Sequence, residues 1–393
     1  MRRSTVLWES FVARFEDAFE QYKRHRLTGE EAGELLGMSG RNFRRLCVRY
    51  EEDGIGGLRD RRIGKVSPRR APADELERMH ALYRERYGDF TVKHFHEQLV
   101  GRHNYWLSYT VTRLSLQAAG LVKRAKRRGA HRKKRVRRPL PGMLVFQDGS
   151  THRWIAALER DLDLIVTLDD ATGQICSAFL VEEEGTMSSF RGLAETIERY
   201  GLFSALYTDR GGHYFIIPKA SRKVDKTQLT QVGRALCQLG ITHIPSYSPQ
   251  ARGRMERAFG TLQKRLPQEL RLARIKTMAA ANRYIKERFV PDYNARFAVV
   301  AAEPGTAFVP YLGRPLEDVL CVQEDRVVGA DNCVSFNRRS LQIPPQRHRN
   351  HYVRATVRVH QYPDGHLAIF DGPRCLARFQ PKGDPKDVVS KAA

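Results

Sequence analysis

Apolar spacing changes twice along the chain, from helical to mixed and then to short alternating runs. Residues 7–26 set Phe11, Phe15, Ala18, Phe19 and Tyr22 on one helical stripe, which predicts an amphipathic helix. Thr28 then precedes Glu30-Glu31 and a short helix through Leu35-Leu36. Gly37-Met38-Ser39 separates it from a further helix running from Arg41 to Tyr50. Thr28 and Ser39 suit N-caps, and Gly37 suits the tight turn between crossed helices. The last of these helices carries Arg41, Asn42, Arg44, Arg45 and Arg49, with Phe43, Leu46 and Val48 placed to pack inward. That is the layout of a helix-turn-helix whose recognition helix enters a major groove. A linker rich in Gly, Arg and Pro covers 54–72, and helical sequence resumes at 73–86 and 92–100. Ser108-Tyr109-Thr110 caps a helix over 111–119 that ends at Gly120, predicting a second helix-turn-helix.

From residue 143 the runs shorten and turn β-prone. Strands are predicted at 143–146, 162–168 and 175–180, with 169–173 as a hairpin turn. A helix over 186–200, a strand at 205–208, a helix over 228–239 and a strand at 242–244 follow, then more helices. This order describes a mixed α/β layer built on a hairpin-connected sheet. Beyond 320, short strands punctuated by Asn337-Arg338 and Pro363-Asp364-Gly365 predict a small β-barrel or β-sandwich.

Charge narrows the choice of partner. The 393 residues are 41% hydrophobic, as expected of a folded chain, but 68 Lys and Arg face 44 Asp and Glu, a net charge of +24. Such a surplus repels itself unless a polyanion is near, so nucleic acid leads, ahead of a ribosomal or membrane-surface role. Residues 1–138 hold 33 of the basic and 17 of the acidic side chains, two thirds of the net excess. The densest stretch comprises Lys123, Arg124, Lys126, Arg127, Arg128, Arg132, Lys133, Lys134, Arg135, Arg137 and Arg138, with no acid among them. It reads as an extended arm laid along phosphates. Six scattered cysteines without a CxxC pair point to reduced thiols in a cytosol. No apolar stretch is long enough to span a membrane and no signal peptide is evident, so an intracellular protein without a membrane partner is expected. His348 and His351 have no matching Cys pair, so zinc is not expected.

Three acids stand out. Asp148 follows an apolar run in Phe146-Gln147-Asp148-Gly149-Ser150, and Asp209 ends a strand in Thr208-Asp209-Arg210-Gly211-Gly212-His213. Glu256 opens a helix whose stripe of Met255, Phe259, Leu262 and Leu266 leaves it to one side. Adjacent strands and a helix across the sheet edge would gather them. Hard carboxylate oxygens with room for water and phosphate suit Mg²⁺ or Mn²⁺, and two such ions about 4 Å apart serve phosphodiester chemistry. Ordinary structural roles compete: a strand-end Asp forms turns, and a helix-start Glu answers the helix dipole. Asp169 and Asp170 read as turn residues and His213 as a loop histidine.

Residues 143–300 resemble the integrase catalytic core of transposases with an Asp-Asp-Glu triad, related to retroviral integrases. The likeness rests on Phe146–Ser150 with Trp154, on Tyr207-Thr208-Asp209-Arg210-Gly211-Gly212, and on residues 248–257 with Thr261-Leu262-Gln263. The continuation through Arg265-Leu266, Glu269–Leu272 and Tyr293–Phe297 is similar to bacterial ISNCY-type insertion-sequence transposases. The resemblance implies a ribonuclease H-like core with two Mg²⁺ (or Mn²⁺) ions, Asp148 bridging both, Asp209 completing one site and Glu256 the other. It implies hydrolysis that frees a 3′-hydroxyl at each transposon end, followed by attack of that hydroxyl on target DNA. Arg252, Arg254, Arg257, Lys264 and Arg265 crowd around Glu256 and would hold the DNA backbone nearby, and a generic solvated face explains them equally well. Two features depart from retroviral integrases: 46 residues separate Asp209 from Glu256, with a basic segment at 216–227, and the N-terminal His-His-Cys-Cys zinc module is absent.

The expected organisation is therefore multidomain: helix-turn-helix modules at 1–60 and 66–122, a basic arm at 123–138, the α/β ribonuclease H-like core at 139–300 and a β-barrel at 320–380. The expected protein is a DNA transposase that binds terminal inverted repeats and target double-stranded DNA as a homo-oligomer, cytoplasmic and nucleoid-associated in a bacterium. A non-catalytic DNA-binding regulator derived from a transposase, or a nuclease that cuts without joining, are the alternatives.

Overall fold

Three helices open the chain: α1 (Arg3–Lys23), α2 (Gly29–Leu35) and α3 (Gly40–Asp53). In this computed structural model the residues described are 3–60, 70–124, 135–218, 224–225, 227–247 and 253–381. Thr28 caps α2 reciprocally with Glu31, its hydroxyl accepting from the Glu31 N–H at 3.3 Å while the Glu31 carboxylate accepts from the Thr28 N–H at 2.7 Å. Gly37 takes φ +70°, and the Met38 N–H closes back onto the Gly33 carbonyl at 2.8 Å. A side chain at 37 would be strained in that left-handed turn. The core of this unit is aromatic: Phe15 packs at a tilt against Phe43 and Tyr50 and is joined by Leu46 and Cys47. Cys47 rather than Val48 faces inward, because offsets of three and four from Phe43 select 46 and 47, and Val48 is exposed.

The chain divides into two units, Met1–Met79 and His80–Ala393, with the division inside α4 (Ala73–Arg86). In the larger unit, α5 (Val92–Arg102) and α6 (Tyr109–Ala118) are capped by Thr91 and Ser108. This pair docks on the helices that follow the central sheet. The half-buried Glu269 carboxylate accepts from Gln98 at 2.8 Å and lies 2.7 Å from His94 Nε2, while Glu97 holds Arg265 at 2.7 Å and Arg296 at 2.9 Å. Burial raises the Glu269 pKa, but the His94 contact and the Arg102 and Arg296 charges outweigh it and leave the carboxyl below its ordinary value.

The central sheet has β1 (Val145–His152), β2 (Leu162–Asp169), β3 (Ile175–Val181), β4 (Ala205–Thr208) and β5 (Thr242–Pro245) in the order β3-β2-β1-β4-β5. The first three pair antiparallel and the last two join in parallel. One face packs on α7 (Thr186–Tyr200) and α8 (Gln231–Gln238) through Val145, Leu206, Phe190 and Leu236. The other packs through Leu144, Phe146 and Val166 on α9 (Gly253–Leu262), α10 (Leu266–Leu272), α11 (Met278–Tyr284) and α12 (Val290–Phe297). The predicted single stripe from Met255 to Leu266 is broken: α9 ends and α10 begins with Pro267 in its first turn, where a proline is tolerated but could not continue a preceding helix.

The C-terminal part corrects the expected barrel. β6 (Val322–Val327), β9 (Thr356–Gln361), β10 (Leu367–Asp371) and β11 (Arg374–Phe379) form an open antiparallel sheet in the order β11-β10-β9-β6. A separate hairpin, β7 (Cys333–Phe336) and β8 (Arg339–Gln342), turns through Asn337 and Arg338, both at positive φ. Among the described residues β6 and β11 stay unjoined, since the four-residue hairpin strands pair only with each other; the shared core includes Val334, Leu341, Val359 and Ile369.

Candidate active site on the central sheet

Asp148 lies within β1, at the centre of the sheet, and is 9% exposed. The parallel pairing sets Val145 against Leu206 and Phe146 against Tyr207. Asp209 lies just past these pairs, beyond the last residue of β4. Alternation along β1 puts Asp148 on the face of Phe146, the face covered by α9. Asp209 follows the last residue of β4, and its Oδ1 accepts the Gly211 N–H at 2.9 Å. That Asx-type turn holds the carboxylate at the strand's carboxyl edge.

Glu256 stands exposed in the first turn of α9. The helix is tied to β1 at both ends. At its start Arg254 reaches Asp170 at 2.5 Å, and Asp170 bonds through its N–H to the Leu144 carbonyl at the foot of β1. At its end Gln263 donates to Ser150 Oγ at 3.1 Å. Met255, Ala258, Phe259 and Leu262 are buried between the ties. Glu256 and Gln263, seven residues apart, share a helical face, and Asp148 and Glu256 both fall within the tied span. Among the described residues no three His, Cys, Asp or Glu side chains are gathered tightly enough to hold a metal ion; the residues leading into α9, 248–252, lie outside them.

The field around the aspartates is negative. Tyr214 is buried, with its hydroxyl donating to Gln147 at 3.1 Å. Burial first, then the charges of Glu184, Asp148 and Asp209, push its pKa well above the ordinary phenol value. Glu184 lies across β1 from Asp148, against Gly149, where any Cβ would collide with its carboxylate. His213 approaches Glu184 at 3.5 Å.

The candidate DNA contacts divide by what they already hold. On α3, Arg41, Arg44 and Arg45 are exposed; Arg44 pairs with Glu30 at 2.9 Å, Arg45 donates to Asn42 at 2.8 Å and Arg49 donates to the Arg59 carbonyl at 2.5 Å. Lys123, Arg124 and Arg257 are exposed. Lys126, Arg127, Arg128, Arg132, Lys133, Lys134 and Arg252 lie outside the described residues. Arg254, expected at the DNA backbone, instead turns inward: its side chain is 9% exposed and engaged by Asp170. Burial lowers its pKa against the opposing pull of that carboxylate. Asp169 does form the expected turn, accepting from Thr172 N–H at 2.8 Å and Gly142 N–H at 2.9 Å. Asp170 does more than turn the chain, because its partners come from distant segments.

Residues 16–65 match the helix-turn-helix domain family. The transposase for insertion sequence IS1202 of Streptococcus pneumoniae is 29% identical over 224 residues, covering 56% of this chain and 47% of that protein. The protein y4bF of Sinorhizobium fredii (strain NBRC 101917 / NGR234), whose name places it among transposases, is 34% identical over 346 residues, 88% of this chain and 75% of its own length. The chain belongs to the transposases. Among solved structures, this transposase is similar to the simian T-cell lymphotropic virus intasome in complex with PP2A regulatory subunit B56 gamma (17% identity, TM-score 0.33, 73% of this chain and 93% of the other). It is also similar to the HTLV-2 integrase catalytic core domain in complex with magnesium (17% identity, TM-score 0.28, 38% and 88%).

Reading the transposase from sequence missed Glu184, Tyr214 and the buried role of Asp170. Gly149 directly after Asp148 was the one local signal for Glu184, since a glycine in mid-strand marks a close approach. Nothing local marks Asp170, whose partner Arg254 is 84 residues away.

Proposed function

We propose that this transposase cuts the ends of its element and joins the freed 3′-hydroxyl to target DNA, with Asp148, Asp209 and Glu256 holding two divalent cations, Mg²⁺ or Mn²⁺. What supports this reading is that Asp148 lies on β1 and Asp209 just past the end of the neighbouring parallel strand β4, with α9 tied to β1 at both ends. The donor set fits: hard carboxylate oxygens, in a field negative enough to act on the Tyr214 hydroxyl. When bound, such cations sharpen an attacking hydroxyl and steady the departing oxygen of a phosphodiester.

The protein's own residues do the placing. Asp209 is locked by the Gly211 N–H and Asp148 by the sheet, so the two carboxylates are held before DNA arrives. Glu256 joins them from α9, and Arg257 and the basic run ending at Arg135–Arg138 lie along the DNA backbone. On this reading residues 1–60 and 66–122 recognise the terminal inverted repeats, 123–138 track phosphates, 139–300 carry out the chemistry and 320–380 add DNA or subunit contacts. Two ends must be processed together, so the working form is a homo-oligomer on double-stranded DNA, in a bacterial cytoplasm at the nucleoid. No helix among the described residues is long and apolar enough to cross a membrane.

A strand-transfer assay with element-end DNA and a supercoiled target tests this. Asp148→Asn, Asp209→Asn and Glu256→Gln should each abolish cleavage and joining while end binding persists. Joining that survives all three overturns the site, and binding without joining in the unaltered protein favours a DNA-binding regulator.

A further inference from the structure

Asp170 is fully buried and gathers cations from two separated parts of the chain. Its Oδ1 is shared by the guanidinium groups of Arg135 and Arg254, and its Oδ2 accepts the Arg138 backbone N–H at 2.9 Å. Arg137 donates to the Asp170 carbonyl at 2.9 Å and the Ala171 carbonyl at 3.2 Å, and Arg254 also donates to the Arg135 carbonyl at 2.7 Å. Arg135 lies over the Phe146 ring at 5.8 Å, two residues below Asp148 on the same face. The last arginines of the basic run, the first turn of α9 and the foot of β1 are thus closed on one carboxylate. A buried acid with two guanidinium partners is a strong, directional joint, and removing it would leave two arginines without their anion.

We infer that Asp170 is a positioning residue that couples engagement of DNA by the basic run to the setting of α9, and through it of Glu256. The inference rests on Glu256 being the third carboxylate. Arg254 stands two residues before Glu256, so the joint fixes the turn of helix from which Glu256 projects. Phosphate bound along the run draws on Arg135, Arg137 and Arg138, and the shared Oδ1 passes that tension to Arg254. DNA binding therefore tightens the start of α9.

Hydrogen–deuterium exchange on the full-length protein, with and without element-end DNA, reads this directly in peptides covering 253–262. In the unaltered protein, DNA should slow exchange there at least about fivefold. With DNA held at saturation, as a gel shift confirms, Arg135→Gln should lose the DNA-dependent slowing. Arg254→Gln and Asp170→Asn should raise the DNA-free rate about tenfold and abolish the response. If Asp170→Asn misfolds, as the melting curve would show, Arg135→Gln carries the test alone. A DNA response in Arg135→Gln equal to that of the unaltered protein overturns the coupling. Glu256→Gln separates the two readings: coupled exchange with intact joining sinks the assignment of Glu256 while sparing the joint, whereas lost joining with uncoupled exchange does the reverse.

Discussion

Asp148 on β1 and Asp209 just past the end of β4 are carried by neighbouring parallel strands of the central sheet, although 60 residues lie between them in the chain. The β1–β4 pairing brings the two segments together without DNA. Replacing either by Asn keeps size and hydrogen bonding and removes one negative charge. Each replacement, like Glu256→Gln, should lower the joining rate at least about a thousandfold, about 4 kcal/mol in the barrier. End binding measured by gel shift should change less than about threefold, as the carboxylates repel phosphate rather than attract it.

The tie at the far end of α9 gives a graded counterpart. Gln263→Ala removes the hydrogen bond to Ser150, worth about 1 kcal/mol. Joining should fall about tenfold with little change in melting temperature, measured by single-turnover kinetics beside calorimetry. A loss as deep as that of Asp148→Asn would mean that Gln263 acts in the chemistry rather than on the helix.

Gly149 and Glu184 form a steric pair. Gly149→Ala sets a methyl group against the far end of the Glu184 side chain, which can turn aside, so the larger unit should lose less than about 1 kcal/mol. The double change Gly149→Ala with Glu184→Ala should recover most of that loss, a coupling that urea denaturation can measure. Additive losses would exclude the collision as the cause.

His243 sets a pH dependence. Its Nε2 meets Thr208 Oγ1 at 3.0 Å and its ring stacks on Phe215 at 4.0 Å. Burial, reinforced by His213, lowers its pKa to about 4. The unfolded chain takes up a proton near the ordinary value of about 6.5, so the folded state binds fewer protons between those limits. The stabilisation is complete above about pH 6.5 and is lost as the pH falls towards 4, about 2 kcal/mol by pH 5. Denaturation at pH 7 and pH 5 should show this extra loss in the unaltered protein and not in His243→Phe.

On α3, Arg41 and Arg45 stand exposed, whereas Arg44 is already paired with Glu30. Arg41→Ala and Arg45→Ala should each weaken binding to element ends and reduce the salt slope of the binding constant by about one. Arg44→Ala should move it less. Equal effects at all three would show that the Glu30 pair opens on DNA.

Much of the frame was readable from residue patterns, because it rests on local rules. The helix over 186–200 and the strand at 205–208 match α7 and β4 at both ends, where Gly201 and Asp209 end them. Thr28 and Ser39 cap as spacing predicts. Long-range features were not readable. The joint at Asp170 needs Arg254, the docking of α5 needs Glu269, and the open edge of the C-terminal sheet depends on which strands find partners. The sequence pattern named Asp148 and Asp209 separately; only the parallel pairing of β1 with β4 brings their segments together.

The grip of Glu269 and Glu97 on the second helical pair has a consequence for how DNA is measured. Those half-buried contacts hold α5 against the helices that follow the central sheet. Lengthening the covalent path between α6 and β1 by several residues should leave the cut at the same base pair. Breaking the grip, with Glu269→Ala and Glu97→Ala together, should scatter it, since the protein would have lost its ruler rather than its blade.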